Sequence, residues 1–236
     1  MKIAVITPYF KESLAMIKRC HNSVLQQGGN ISHFLIADGN PQEIINEWNC
    51  EHIMIPNNSD YGDTPRGIGA AIACSRGFDA ICFLDADNWY ETNHITNILM
   101  ASEKHQDSII ITTDRNLYTE EDGKLGVCPH SNGLDFVDTN CYFFLRSAFT
   151  ILRMWLFKEK SESLYGDRII WNTIKDMNIC RAHIPLPTVN YTTDYASHYQ
   201  IFNKKIPDHA RFFSEKEMSF ITYAEYCTSL NNQNSV

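Results

Sequence analysis

The chain has 236 residues, enough for one large α/β domain with a sizeable buried core. Hydrophobic residues make up 44% of the sequence and charged residues 20%, and the formal net charge is -8. This acidic balance argues against non-specific binding to nucleic acid, which requires a basic face, and against broad attachment to anionic lipid. No segment approaches the roughly 20 apolar residues of a membrane span, so we expect at most peripheral membrane contact.

In chain order, short β-rich runs alternate with helical patterns through the first 113 residues. The predicted elements are a strand over 2–7, a helix with apolar residues from 10 to 25, a strand over 33–37, a helix over 41–48, a strand over 52–55, a helix over 65–78, a strand over 80–84, a helix over 93–104 and a strand over 108–113. Strands separated by helices of this length predict βαβ crossovers and a mostly parallel, doubly wound sheet. Such a sheet binds its ligands at the carboxyl ends of its strands.

The second half of the chain has a looser pattern. The predicted elements are a polar turn over 120–123, a strand over 135–145, helices over 147–157 and 163–177, and an extended, proline-punctuated segment over 183–193. Because no repeat, linker or low-complexity block interrupts the sequence, we predict a single domain.

Eight cysteines are spread along the chain without a C-x-x-C pair. Several, such as Cys82, lie inside apolar runs, where a thiol packs as a small hydrophobe. Their spacing is not that of the disulfide framework of a short secreted chain. The apolar run over 3–6 also lacks the longer core and the cleavage site of a signal peptide. We therefore expect reduced cysteines and a cytoplasmic protein.

The run Ile81–Asn88 joins an apolar strand directly to Asp85 and Asp87, two carboxylates two residues apart. In an extended chain, positions i and i+2 point to the same side, so these carboxylates would repel each other unless a cation or a proton lies between them. Oxygen ligands suit Mg²⁺ or Mn²⁺, which retain waters and bridge substrate phosphates. An isolated D-x-D is more often a pair of surface acids, but the apolar strand that leads into this one favours a metal site.

Two further strand ends carry possible ligand contacts. Asp38 ends the second predicted strand, where a carboxylate can accept hydrogen bonds from a nucleobase or ribose, although an Asp-Gly turn explains it equally well. Tyr9 ends the first strand and could stack on a base or simply pack in the core.

Four segments carry a resemblance to the family-2 glycosyltransferases. They are Val5–Tyr9, Asp38-Gly39, Gly69–Ala73 and Phe83–Asp87, which occur in the order and rough spacing of that family. The resemblance covers about residues 1 to 115 well and continues more loosely to about residue 195. It implies a GT-A fold, in which a Rossmann-like, mostly parallel sheet is flanked by helices. It also implies a divalent metal at the D-x-D pair and, as a family habit, inversion at the anomeric carbon.

The resemblance also divides the chain. It implies a single GT-A domain over 1–230, with a nucleotide-sugar-binding half over 1–115, an acceptor-binding half over 116–200 and a C-terminal segment over 201–236.

Carried over residue by residue, the resemblance implies a donor site. Pro8 and Tyr9 match the segment that lines the base pocket, and Asp38 matches the acid that contacts the base. Asp85 matches the acid near the ribose and metal, and Asp87 matches the metal ligand itself.

Two weaker assignments complete the donor site. Arg66 lies where relatives place a residue near the base or phosphates, although a solvated arginine at a helix start is equally compatible. His198 follows the last core strand, where some metal-dependent GT-A enzymes supply a further metal ligand. Because the chain has nine histidines, a structural role for His198 is the simpler interpretation.

The general base is the least determined part of the pattern. Asp167 matches the second acid of a Glu-Asp pair that relatives carry at the start of a late helix, but Gly166 stands where the Glu would be. An Asp in the first turn of a helix is also favoured by the helix dipole. Asp138 is the rival base, or else part of a polar loop. Asn88 replaces a third acid that many relatives have after the D-x-D.

The sequence therefore predicts a metal-dependent glycosyltransferase, with Mn²⁺ or Mg²⁺ as cofactor. It would move a sugar from a nucleotide-diphosphate donor, with uridine favoured as the base, to an acceptor hydroxyl on a glycan, lipid or small molecule, as in polysaccharide biosynthesis. A nucleotidyltransferase is an alternative, but the segment after the first strand lacks a glycine-rich phosphate loop. A non-catalytic module that binds sugar nucleotides is a second alternative.

Overall fold

A computed structural model of the chain describes residues 1–214. The predicted domain end at residue 230, the segment beyond residue 214 and Cys227 lie outside the described residues. Within them, no helix is both long and apolar enough to cross a membrane. The seven cysteines of this part of the chain are free thiols, as the spacing led us to expect.

One nine-stranded sheet and its surrounding helices make up the described chain. The strands are β1 (Lys2–Tyr9), β2 (Asn30–Asp38), β3 (Glu51–Ile55), β4 (Ala80–Phe83), β5 (Trp89–Tyr90), β6 (Ile110–Tyr118), β7 (Lys124–Val127), β8 (Tyr142–Leu145) and β9 (Arg181–Thr192). The α-helices are α1 (Leu14–Leu25), α2 (Asp63–Ser75), α3 (His94–Lys104), α4 (Phe149–Leu152), α5 (Met154–Phe157), α6 (Gly166–Asp176) and α7 (Ala196–Ile201). Short 3-10 turns lie at Glu43–Glu47, Thr139–Cys141, Arg146–Ala148 and Lys160–Tyr165.

The strand order is β3-β2-β1-β4-β8-β6-β9-β5, and β7 pairs with β6. Strands β1 to β4 are mutually parallel, as predicted, because the chain crosses back over the sheet between consecutive strands. The second half adds β6 parallel to β9, with β8 antiparallel to both β4 and β6. Since β2 lies on one side of β1 and β4 on the other, the strand order reverses at β1. Doubly wound sheets bind ligands at this switch point.

Burial explains why these residues form these strands. The whole of β4 is buried, as is nearly all of β1, which gives the continuous apolar runs expected of a central parallel strand. Helix α2 packs across β1, β2 and β4, and this contact is close because Gly69 faces Ile6 and Ile36.

Three predicted helices differ in detail. The helix over 41–48 is only the 3-10 turn Glu43–Glu47, since Ile45 is its one buried residue. The helix over 147–157 is divided into α4 and α5 at Arg153, and α6 begins at Gly166 rather than at residue 163. The extended segment over 183–193 is confirmed as the greater part of β9.

The strand predicted over 135–145 is wrong in its first half. Only β8 is extended, because Asp138 and Asn140 bind nearby backbone groups with their side chains. The Asp138 carboxylate accepts the Asn140 N–H at 3.0 Å and its own N–H donates to Ser131 at 3.1 Å. Such local bonds compete with the ladder of a sheet and form a capped turn instead.

Candidate functional site

The carboxyl ends of β1, β2 and β4 bring the predicted acids to one edge of the sheet. Asp38 is the last residue of β2, and Asp85 and Asp87 follow β4. The D-x-D segment is a turn rather than an extended strand, because the Asn88 N–H donates to the Asp85 carbonyl at 3.0 Å. The prediction that this segment is extended was wrong. The two carboxylates are nevertheless close enough for the negative charge of Asp85 to raise the pKa of Asp87.

Asp85 is held by two residues, Arg66 and Asn140. Its carboxylate forms an ion pair with the buried Arg66, whose second nitrogen donates to the Tyr61 carbonyl at 2.9 Å. Asn140 donates to the other carboxylate oxygen of Asp85 at 3.1 Å and accepts the Asp85 N–H at 2.5 Å. Both oxygens of Asp85 therefore have protein partners.

Asp87 is different, because no Lys, Arg or His of residues 1–214 lies within ion-pair distance of its carboxylate. Burial and the neighbouring charge of Asp85 raise the pKa of Asp87 to about 8. The backbone of Asp87 is fixed instead. Its carbonyl accepts hydrogen bonds from Arg19 at 2.8 Å and from Thr192 at 2.7 Å. A rigid peptide thus presents a carboxylate that lacks a positive partner.

Asn88 joins the same turn to the second half of the sheet. Its side-chain oxygen accepts the Thr192 N–H of β9 at 2.8 Å. Asn88, which stands in place of a third acid, therefore connects the D-x-D turn to β9.

Asp138 belongs to a buried network. Its carboxylate accepts from Arg115 at 2.5 Å and from the Asn140 side chain at 2.7 Å. The Arg115 guanidinium lies 4.0 Å from the centre of the Tyr191 ring. Asp138 is thereby paired with a cation and, through Asn140, linked to Asp85.

Asp167, in the first turn of α6, forms no comparable ion pair with a cation of residues 1–214. Burial raises the pKa of its carboxyl to about 6, and the charge of Asp138 acts in the same direction. Its one hydrogen bond within the described chain comes from the Arg168 N–H at 2.7 Å. An acid with such a pKa accepts a proton near neutral pH more readily than an ordinary aspartate.

Packing accounts for the glycine at position 166. A Cβ atom there would lie 3.0 Å from the Trp155 ring and 3.1 Å from the Asp63 carboxylate. Asp63 forms a buried ion pair with Lys158 at the same place. A side chain at position 166 would therefore require Trp155, Asp63 or Lys158 to shift.

The profile of glycosyl transferase family 2 matches residues 4–162, about two thirds of the sequence. The chain belongs to glycosyl transferase family 2. The predicted resemblance and the expectation of a glycosyltransferase are confirmed. No curated protein is similar enough in sequence to match this chain.

Solved structures of the TarS protein of S. aureus are similar in fold. TarS 1–349 in complex with UDP-GlcNAc has a TM-score of 0.66 and 15% identity, over 85% of this chain and 61% of that one. TarS 1–349 without that ligand has a TM-score of 0.62 and 14% identity, over 81% of this chain and 60% of that one. The chain thus spans about three fifths of the length of these structures. The predicted fold class, a GT-A α/β domain, is confirmed.

Pro8, Tyr9 and Asp38, the residues predicted to contact the donor base, lie in three different environments. Pro8 is buried against the loop that precedes α2, where Gly62 approaches it. Tyr9 is only 2% exposed, and its hydroxyl contacts His52 at 2.7 Å, so its ring packs in the core of this family member. Asp38 accepts the backbone N–H and the side-chain amide of Asn58, each at 2.9 Å, through a single carboxylate oxygen.

His198 lies in α7, and the structure brings it into no ligand cluster. Among residues 1–214, no three His, Cys, Asp or Glu side chains are grouped closely enough to hold a metal by themselves. Burial lowers the pKa of His198 to about 3, and its Nδ1 lies 2.6 Å from the Thr193 hydroxyl. The ring is therefore neutral.

Sequence reasoning missed the residues that hold the acids in place. These are Arg19, Arg115, Asn140 and Lys158. The cationic members carry no local signal, since each contacts its partner from a distant part of the sequence. The cluster Asp138-Thr-Asn140 was a signal, because Asp and Asn before a strand favour side-chain contacts with the backbone.

Proposed function

We propose that this chain transfers a sugar from a nucleotide-diphosphate donor to an acceptor hydroxyl. The observation that carries the proposal is the carboxylate of Asp87 at the switch point of the sheet. Arg19 and Thr192 hold the backbone of Asp87, and its carboxylate forms no ion pair with a Lys, Arg or His of residues 1–214. A divalent cation that binds together with the donor diphosphate would supply the missing positive charge.

The donor we propose is a uridine diphosphate sugar. One support is the similar fold of TarS, which has been solved in complex with UDP-GlcNAc. A second support is the pair Asp38, at the end of β2, and Arg66, in the first turn of α2, which forms the ion pair with Asp85. In this proposal Asp38 accepts a hydrogen bond from the base, and Arg66 holds Asp85 toward the ribose and phosphates.

The residues present fit Mg²⁺ or Mn²⁺. Such ions are commonly held by one or two carboxylates, and substrate phosphates and waters complete their coordination. We propose Asp87 as the main ligand and Asp85 as a supporting one, without His198, because among residues 1–214 the structure brings no third His, Cys, Asp or Glu into a cluster with them. When bound, the ion would stabilise the charge that develops on the departing diphosphate.

We propose Asp167 rather than Asp138 as the general base. Asp138 is neutralised by Arg115 and hydrogen-bonded to Asn140, so its role is to position Asn140 and hence Asp85. Asp167 has no such partner within residues 1–214, and its raised pKa suits proton uptake. Asp167 would take the proton of the acceptor hydroxyl while the oxygen bonds to the anomeric carbon and the diphosphate leaves. A single displacement of this kind inverts the anomeric carbon.

Release of nucleoside diphosphate from donor sugars tests the proposal. Wild-type protein with Mn²⁺ should release UDP from at least one UDP-sugar, faster when the right acceptor is added. A nucleotidyltransferase would instead release pyrophosphate from a nucleoside triphosphate and a sugar phosphate. A binding module would retain affinity for the donor and release nothing, which would contradict the enzymatic proposal.

A further inference from the structure

A nucleobase bound at this edge of the sheet needs a flat partner for its ring face. Aromatic side chains supply such a platform in proteins that bind single-stranded nucleic acid, where any base can stack on the ring. The residue predicted for this purpose, Tyr9, cannot supply it, because its ring is 2% exposed and its hydroxyl accepts the Gln42 N–H at 2.9 Å. The platform must therefore come from another residue.

Tyr61 is the exposed aromatic residue of the loop between β3 and α2, and 66% of its surface is accessible. The loop crosses the part of the sheet edge where the base was predicted. Asn58 binds Asp38 at the end of β2, and Gly62 approaches Pro8 on β1. Tyr61 lies between these two contacts in the chain.

The loop is fixed rather than loosely attached. Asp60 accepts the Thr64 N–H at 3.0 Å, and the Lys160 ammonium donates to the Asn58 carbonyl at 2.6 Å. The Tyr61 carbonyl accepts a hydrogen bond from Arg66, the partner of Asp85. The exposed ring is thus tied through its own peptide to the acid beside the D-x-D turn.

The backbone of Tyr61 is in the left-handed region, with a φ of 55°. This conformation is unfavourable for a bulky residue, and such strain is concentrated at binding and catalytic sites. A glycine would adopt it without strain and would expose no ring. The loop therefore keeps an exposed tyrosine here at a conformational cost.

From this geometry we propose that Tyr61 stacks on the nucleobase of the donor. The inference rests on the proposed function, since it names a residue of the same donor site. The hydroxyl is not required, because stacking uses only the ring face.

Calorimetric titration with UDP and with inorganic pyrophosphate, both in Mn²⁺, tests the inference. Tyr61→Gly removes the ring and keeps the loop conformation, so UDP should bind roughly ten- to hundredfold more weakly, the range for loss of a base–aromatic stack. Pyrophosphate has no base, and its affinity should not change. Tyr61→Phe should bind UDP as the wild type does.

Met177→Ala is the matched control, because Met177 is 65% exposed at the far end of α6. This variant should bind UDP normally. Unchanged UDP affinity in Tyr61→Gly would overturn the inference and leave the proposed function intact. An equal loss of UDP and pyrophosphate would also overturn it, because Tyr61 would then act through Arg66. Wild-type protein that binds neither ligand would overturn both the inference and the proposed function.

Discussion

Asp85, Asp87, Asp138 and Asp167 are four acids near one edge of the sheet, and they differ in what their side chains touch. Asp85 and Asp138 are each paired with a buried arginine and share Asn140. Asp87 and Asp167 have no such cation among the described residues, and burial raises the pKa of both carboxyls. Asp87 and Asp167 are therefore the two acids whose protonation can change when a substrate binds.

Asp167→Asn should lower kcat by roughly 10²- to 10⁴-fold, the usual contribution of a positioned base, while donor affinity stays unchanged. The wild-type rate should rise with pH through about 6, because the base must lose its proton before it can accept another. This rise should be absent in the variant. A pH profile of kcat together with donor titration measures both effects. Loss of donor binding in Asp167→Asn would contradict the assignment of the base.

Arg19 should act as a positioning residue for Asp87. Arg19→Met removes the hydrogen bond to the Asp87 carbonyl and the ion pair with Asp122. Partners that orient metal ligands typically contribute 10- to 100-fold in metal affinity, so the Mn²⁺ concentration for half-maximal activity should rise by about that factor. Arg76→Met is the control, since Arg76 forms an exposed ion pair with Glu51. An unchanged Mn²⁺ requirement in Arg19→Met would argue that Asp87 is held sufficiently by Thr192.

The sequence identified the acids but not their partners. Asp85 and Asp87 could be found because an apolar strand leads directly into them, which is a local pattern. Asn140 lies 55 positions from Asp85, and no local pattern predicts which distant amide meets a given carboxylate. The burial of Tyr9 was likewise undetermined, because an aromatic at a strand end fits either a core or a binding site.

At the scale of elements, the strands and crossovers of the first half follow from the sequence alone. Long apolar runs separated by helical patterns leave few alternatives to a parallel sheet. The second half was less predictable, since antiparallel β8 lies between two strands that are not its neighbours in sequence. The turn before β8 depends on the side-chain contacts of Asp138, which override the apolar pattern.

Gly69→Ala should destabilise the protein by about 1–3 kcal/mol, as overpacking of a dense core does. The added Cβ would lie 2.6 Å from Ile6 and 2.7 Å from Ile36, which forces α2 away from β1 and β2. Gly28→Ala is the matched control, because no atom lies within 4 Å of its Cβ position. Urea denaturation of both variants measures the difference. Equal stability of the two would show that α2 can shift without cost.

At the scale of the whole molecule, the second half folds back onto the donor half. Helices α4 and α5 pack on α2, and Trp155 lies 5.2 Å from the Arg66 guanidinium. The buried pair Lys158–Asp63 joins the segment after α5 to the start of α2. The segment before Asp167 is therefore connected to the helix that carries Arg66.

Lys158→Met should lower the free energy of unfolding by about 3–5 kcal/mol, because it leaves the buried Asp63 carboxylate without its ion-pair partner. The double variant Lys158→Met with Asp63→Leu should recover much of this loss, since no buried charge remains. Denaturation of the single and double variants forms the cycle that measures the coupling. A single variant as stable as the wild type would mean that the pair does not join the halves.

The central claim is that Asp87 binds a divalent cation together with a nucleoside diphosphate. The most direct measurement is the melting temperature of wild type and of Asp87→Ala, with and without Mn²⁺, against a panel of nucleoside diphosphates. A ligand at about 100 times its Kd adds about 2.7 kcal/mol of stability, which is a readily measured shift. We predict a rise with UDP that requires Mn²⁺ and is lost in Asp87→Ala. No rise in the wild type with any nucleotide, or the same rise in Asp87→Ala, would contradict the claim.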